Sequence, residues 1–223
     1  MVKILEFFRK LFFPPKCVFC RRILEEYGVC DRCKVTLPYR QPAESKDKIM
    51  FVDEVYSCFK YEGDVKNAII RYKFGGMSCY SEDFSVYLTE CIKKNLEGKY
   101  DIISWVPLSK KRLHSRGYDQ ARLLAEGVCK RLGITAVRTL NKCRNAAPQS
   151  RQNDPSERMA NILGAYEIAG EDVAGKRIVI IDDVMTTGST TSECARVLKT
   201  AGAASVIVLT LAKTKKRKKQ LKN

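Results

Sequence analysis

The stretch from Ile178 to Thr190, IVIIDDVMTTGST, constrains this chain more than any other. It opens with the apolar run Ile178, Val179, Ile180 and Ile181, which predicts a strand buried on both faces and hence a central parallel strand. Asp182 and Asp183 end that run. Thr186, Thr187, Gly188, Ser189 and Thr190 then crowd hydroxyls and one glycine into a tight loop ahead of SECARVLKTAG, which reads as a helix. Strand, loop and helix N-terminus make an anion site. Loop amides and the helix's unpaired N–H groups converge there, the helix dipole favours negative charge, and the hydroxyls add donors. Gly188 is the residue that can take a positive φ or let the backbone approach a ligand closely.

Two carboxylates beside an anion site make sense if they accept hydrogen bonds from vicinal ribose hydroxyls, as an acidic residue does in dinucleotide folds. One strand end then holds a sugar and its 5′-phosphate. The stretch resembles the motif that binds phosphoribosyl pyrophosphate (PRPP) in type I phosphoribosyltransferases: a hydrophobic strand, two acids, two apolar residues and a Thr/Gly/Ser turn. The resemblance implies that Asp182 and Asp183 are catalytic, and that with Thr186, Thr187, Gly188, Ser189 and Thr190 they bind the ribose and 5′-phosphate of PRPP. Neither GxxxxGK[ST] nor GxGxxG occurs in the sequence, which disfavours P-loop and Rossmann readings.

Upstream lie two CxxC pairs, Cys17-Val18-Phe19-Cys20 and Cys30-Asp31-Arg32-Cys33. Each pair turns both thiolates toward one point, so Cys17, Cys20, Cys30 and Cys33 complete a tetrahedral sulfur site. Zinc is the expected metal, although such a site also suits iron of the rubredoxin type. With no open coordination position the role is structural, and a module this small needs the metal to fold. The remaining cysteines, Cys58, Cys79, Cys91, Cys129, Cys143 and Cys194, lie singly in periodic segments. No cleavable signal peptide and no apolar run long enough for a transmembrane helix is expected, so a reduced, cytoplasmic protein is the reading.

The chain's 223 residues predict one domain of ordinary size plus a small module. Residues 1–40 are assigned to an N-terminal helix and the four-cysteine zinc module, 50–212 to the main domain, and 213–223 to a basic, disordered tail. Residues 1–13 place Ile4, Leu5, Phe8, Leu11 and Phe12 at helical spacing, for docking on the domain or on a membrane surface or partner. Residues 34–48 read as a linker. Strands are expected at Met50–Tyr61, Tyr100–Val106, Ala136–Leu140, Ala165–Ile168, along KRIVIIDDV and at Ser205–Leu211. Helices are expected along EGDVKNAIIRYKFGG, at Ser81–Asn95 and along RGYDQARLLAEGVCKRLG. This alternation predicts an α/β fold with a parallel sheet and ligands at the strands' carboxyl ends. The net charge of +16, with seven Lys or Arg and no acid in the tail, favours anionic partners such as nucleic acid, phosphorylated metabolites or a membrane surface.

If the Trp105 strand ends beside the Ile178 strand, the loop SKKRLHSRG faces the acids and puts cations where a pyrophosphate would lie. In phosphoribosyltransferases this loop holds pyrophosphate, and the resemblance assigns that role to Leu108, Ser109 and Lys110, backbone amides first. Residues 141–158 are too long and polar for an ordinary connection and read as a lid whose Arg144 and Arg151 close on the diphosphate and exclude water. His114, the one histidine, reads as solvent-facing.

The order of these pieces resembles the ComF family, whose members pair a double-CxxC module with a phosphoribosyltransferase-like domain. FFPPKCVFC with CDRC, KFGG, VPLSKKRLHSRGYDQARLLA, Arg144 with Gln149, Arg158 with Asn161, and the opening stretch carry the likeness. RGYDQ departs from RG[FY]NQ by Asp119 in the Asn position, which preserves a helix-capping role. The resemblance implies a type I phosphoribosyltransferase fold, with a central parallel sheet and a small hood from residues 50–80, preceded by the zinc module. It further implies PRPP bound with magnesium, a role in DNA uptake during natural transformation, and a competence helicase-like partner. The basic surfaces add single-stranded DNA binding. The alternatives are a metabolic or salvage phosphoribosyltransferase that moves ribose 5-phosphate to a nucleobase or other acceptor, and a binding scaffold without catalysis.

Overall fold

The computed structural model describes residues 14–40, 48–143 and 163–215. The helix expected over residues 1–13, the linker residues 41–47, Arg144, Arg151 and the rest of the expected lid up to 158, and tail residues 216–223 lie outside the described residues.

The apolar runs of the sequence become a four-stranded parallel sheet of β1 (Glu54–Lys60), β2 (Ile102–Trp105), β5 (Arg177–Met185) and β6 (Ser205–Lys213), in the order β1-β6-β5-β2. β5 is interior, and Ile178, Val179, Ile180 and Ile181 are each fully buried. Its side chains alternate between two cores, as a strand with period two requires. Val179 and Ile181 pack on α2 (Gly63–Phe74), α3 (Tyr80–Asn95) and α5 (Gln120–Leu132). Ile178 and Ile180 pack on the other face against Cys194, Ala195 and Leu198 of α6 (Ser189–Thr200). β3 (Leu140–Lys142) and β4 (Tyr166–Ile168) form a separate antiparallel pair, the two feet of the segment expected to be a lid.

Several local expectations shift. The strand expected from Met50 begins at Glu54, because residues 48–53 turn instead, with Phe51 at φ 66°. The strand expected at Ala136–Leu140 forms only at Leu140–Lys142, where β4 supplies a partner. SKKRLHSRG is not a loop: Lys110–Arg116 is helix α4, started by the Ser109 side chain accepting from the Arg112 amide and stopped by Gly117 at φ 79°. Both are ordinary helix-end signals. The linker begins late, since α1 (Asp31–Thr36) runs through its first residues and Leu37 is buried. β6 continues to Lys213, paired with Met185 and Lys60.

The cysteine module is docked on the domain. Phe19, between the first two cysteines, is 1% exposed and meets Phe59 and Phe84 with ring centroids 5.7 Å away. Its carbonyl and that of Val18 accept from Arg71 Nη2 at 2.6 and 2.9 Å. No helix among the described residues is long and apolar enough to cross a membrane.

Candidate functional site

The site exists because β5 outruns β2. β2 ends at Trp105, opposite Ile181, whereas β5 stays paired with β6 through Met185. Asp182 and Asp183 therefore belong to the strand rather than ending it, and they project past the neighbouring strand end. There, they line a cleft of about 150 Å³ with Lys73, Arg112, Arg116 and Lys142. Four cations around two carboxylates make an anion-attracting cavity, at the carboxyl ends of parallel strands where such sheets bind ligands.

The two acids differ because the strand alternates. Asp183 faces α2 and is 7% exposed, with Lys73 Nζ 2.9 Å from its Oδ1. Asp182 keeps some surface toward the cleft, and its Oδ1 accepts from the Asp183 amide at 2.8 Å. Burial first and the Asp183 charge second push the Asp182 carboxyl up to about 8. An unfolded aspartate titrates near 3.9, so between about pH 4 and pH 8 the folded protein binds the extra proton and its stability falls as pH rises. Urea unfolding at pH 5 and pH 8 is expected to show this loss in the ligand-free protein, and Asp182→Asn to remove most of it.

The opposite wall starts at Val106 and Pro107. The Leu108 amide donates to Asp119 Oδ2 at 3.1 Å, and Asp119 also caps α5 by accepting from the Arg122 amide at 3.2 Å. An Asn in this place has one carboxamide oxygen for these two amides, so Asp119 fixes the wall in a way Asn cannot. Ser109 is buried as the α4 cap, and Lys110 is exposed at the start of α4 and absent from the cleft lining. Within α4, Arg112 and Arg116 supply the cleft's charge. Arg116 donates to Gln120 Oε1 at 2.7 Å and lies over the Phe74 ring, 4.9 Å from its centroid.

The loop expected to cradle a phosphate turns at Gly188, which sits at φ 83° and starts α6 three residues earlier than expected, at Ser189. Ser189 and Thr190 thus lie in the first turn, whose amides have no acceptor within the helix. Thr186 and Thr187 are exposed, Thr187 Oγ1 and Ser189 Oγ share a 2.9 Å hydrogen bond, and Thr190 lines the cleft. A Cβ on Gly188 would stand 2.3 Å from Ile49 Cδ1, so the close approach at this glycine is to the protein's own side chain. Gly188→Ala is expected to cost about 1–2 kcal/mol from the left-handed φ, read as a lower denaturant midpoint. Ile49→Ala in addition relieves the contact but not the φ.

Sequence reasoning gave no role to Lys73, Lys142 or Tyr166. Lys142 and Tyr166 face each other across the β3–β4 pair, and Lys142 Nζ donates to the Tyr166 hydroxyl at 2.9 Å. Burial, then Arg112, lowers the Lys142 pKa. Glu193 anchors the chain just ahead of β4, accepting from the Gly164 amide at 2.7 Å while pairing with Arg196.

Across the molecule, the sulfurs of Cys17, Cys20, Cys30 and Cys33 all lie within 4.8 Å of one another. A sulfur tetrahedron about 2.3 Å around zinc has edges of about 3.8 Å, and Cys20 Sγ and Cys30 Sγ stand 3.6 Å apart. The Cys30 amide donates to Cys17 Sγ and the Cys33 amide to Cys30 Sγ, each at 3.5 Å, as bound thiolates require. The donor set fits a closed four-sulfur metal site.

A family profile described as "Phosphoribosyl transferase domain" matches residues 121–223. "Competence protein ComFC" of Streptococcus pneumoniae is 32% identical over 155 residues, covering 70% of this chain and 66% of that protein. "Competence protein ComFC" of Bacillus subtilis is 28% identical over 200 residues, covering 87% of this chain and 76% of that protein. "Competence protein F" of Haemophilus influenzae is 25% identical over 226 residues, covering 91% of this chain and 98% of that protein.

Proposed function

The chain belongs to the ComF family, and on that premise we propose that it binds PRPP with magnesium in the Asp182–Thr190 cleft and serves DNA uptake during natural transformation. The supporting observation is the pairing of two carboxylates at the end of β5 with an open helix N-terminus on one side and cations on the other. In this reading Asp182 and Asp183 take the ribose hydroxyls, and Thr186, Thr187, Gly188, Ser189 and Thr190 take the 5′-phosphate. The Leu108–Lys110 wall, with Arg112 and Arg116, faces the diphosphate, and Arg144 and Arg151 serve the lid. Magnesium, when bound with PRPP, would offset the negative charge of the diphosphate. The chain's own groups orient the sugar and hold its phosphate away from the diphosphate. Zinc fills the four-cysteine site in a structural role.

Single-stranded DNA binding through basic surfaces, a helicase-like competence partner and a cytoplasmic location complete the proposal. Its support is the +16 net charge and the names of the relatives. Calorimetric titration with PRPP is expected to show binding that requires magnesium and is lost in Asp182→Ala. Unchanged PRPP affinity in that variant removes the site assignment. Failure of the protein to retain single-stranded DNA on a filter at low salt removes the nucleic-acid half. Release of pyrophosphate on mixing PRPP with one of a panel of nucleobases would instead support the salvage alternative.

A further inference from the structure

The last turn of α2 touches two places that the sequence keeps far apart. Arg71 Nη2 donates to the Val18 and Phe19 carbonyls, the two residues between Cys17 and Cys20. Two residues later Lys73 Nζ stands 2.9 Å from Asp183 Oδ1 in the cleft. Between them, the Tyr72 hydroxyl donates to the Gln120 carbonyl at 2.9 Å, and the Tyr118 hydroxyl donates to the Tyr72 carbonyl. Residues 118–120 also hold Asp119, which takes the Leu108 amide of the opposite wall. A single helical turn therefore reaches the cysteine turn and both walls of the cleft.

We propose that Arg71, Tyr72 and Lys73 form a positioning clasp that couples the four-cysteine metal site to the cleft, so that metal binding and ligand binding strengthen each other. Arg71 and Lys73 are positioning residues on the metal side and the cleft side respectively. The coupling has a physical origin in the cysteine turn. A metal fixes Cys17 and Cys20, which fixes the carbonyls that Arg71 grips. Arg71 has little else to hold it: its Nε is buried without a hydrogen-bond partner and its guanidinium carbon lies 5.9 Å from the Tyr80 ring centroid, so the two carbonyls are its hydrogen-bonding anchor. When the turn loosens, that grip goes, and the helix end carrying Lys73 loses its outer support. Asp183 then loses the cation that holds it, while Leu108 loses part of its backing through Tyr118 and Asp119. Packing runs beside this route, since Phe19 meets Phe84, Phe84 meets Tyr72 and Tyr72 meets Tyr118, so the polar contacts of Arg71 and Lys73 are what the test must single out.

The inference rests on reading the cleft as a PRPP site, and its test separates the two. Zinc affinity is measured by competition with a chromogenic chelator, with and without saturating PRPP and magnesium, in the full chain. Coupling between sites is reciprocal, and is expected in the range of about 5- to 150-fold. PRPP is therefore expected to tighten zinc binding several-fold in the wild-type protein and to have no such effect in Arg71→Met. Lys73→Met is expected to weaken zinc binding even without PRPP, although Lys73 does not touch the cysteines. Arg71→Lys, which keeps the charge but not the two-carbonyl grip, is expected to behave as Arg71→Met. Near-ultraviolet circular dichroism checks that each variant stays folded. PRPP that binds the wild-type protein yet leaves its zinc affinity unchanged overturns the clasp. So does wild-type zinc affinity in Lys73→Met. If the wild-type protein does not bind PRPP at all, the functional reading fails, and the ligand-free Lys73→Met comparison still decides the clasp.

Discussion

Cys33→Ala is expected to release the metal and destabilise the protein by at least about 3–5 kcal/mol, the range for losing a well-buried Phe. Cys33 is 1% exposed and supplies one sulfur of the four-sulfur set. Structural zinc in small modules contributes about 10–16 kcal/mol of apparent binding free energy that is also folding free energy. The lower figure applies here because the module does not stand alone. Phe19, Val18 and Leu37 insert into the same core as Phe59, Phe84 and Tyr72, so the domain offsets part of the loss by keeping some of these contacts. What the metal alone can do is hold the Cys17–Cys20 turn in register with the first turn of α1, Cys30–Cys33. Without it the turn that buries Phe19 is free to leave, and the aromatic cluster is exposed to water. The check is metal content together with a denaturant unfolding curve. Cys79→Ala is the control: Cys79 is exposed and makes no side-chain cap at the start of α3, so its replacement is expected to fall within about 0.5 kcal/mol. Wild-type stability in Cys33→Ala once its metal is lost would show that the module folds on packing alone.

The features legible in the sequence were those set by local chemistry. The run Ile178–Ile181 announces a strand covered on both faces because nothing in it tolerates water, and all four residues are fully buried. The CxxC spacing brings four sulfurs together because each pair is itself a turn. Asp119 caps a helix because its carboxylate reaches the amide three residues on. Helix α4 was missed although its Ser109 cap and Gly117 stop are both local signals, because the density of Lys and Arg between them read as a loop facing a pyrophosphate. Lys73 was missed for a different reason. It lies four residues after Ile69, on the stripe formed by Val65, Ala68, Ile69 and Tyr72, and a lysine on an apolar stripe signals a buried anion nearby. That anion is Asp183, far along the chain, and pairing over such a distance leaves no mark on hydrophobic periodicity.

Asp183→Ala is expected to separate the structural from the functional role of this pair. Removing the carboxylate leaves the Lys73 ammonium, 18% exposed in its side chain, without its ion-pair partner. Breaking a buried pair from one side costs about 3–5 kcal/mol, less whatever Lys73 recovers by turning into the cleft. The same change removes an acceptor for a ribose hydroxyl. Hydrogen bonds to charged groups contribute about 1.5–3 kcal/mol each, so PRPP affinity is expected to fall by at least about tenfold. One substitution therefore lowers both stability and binding, and a loss of binding alone does not identify its cause. The double variant Lys73→Met, Asp183→Ala resolves them. Replacing both partners with uncharged groups removes the unpaired charge, so much of the stability is expected to return while PRPP binding stays lost. The neighbouring acid reports on the same change: after burial, the Asp183 charge is the largest cause that raises the Asp182 carboxyl. Its removal is expected to bring the Asp182 midpoint down and to shift the pH-dependent loss of stability to lower pH, measured by urea unfolding across pH 5 to 8. Recovery of PRPP binding in the double variant would mean that Asp183 acts only as the partner of Lys73 and that Asp182 alone holds the sugar.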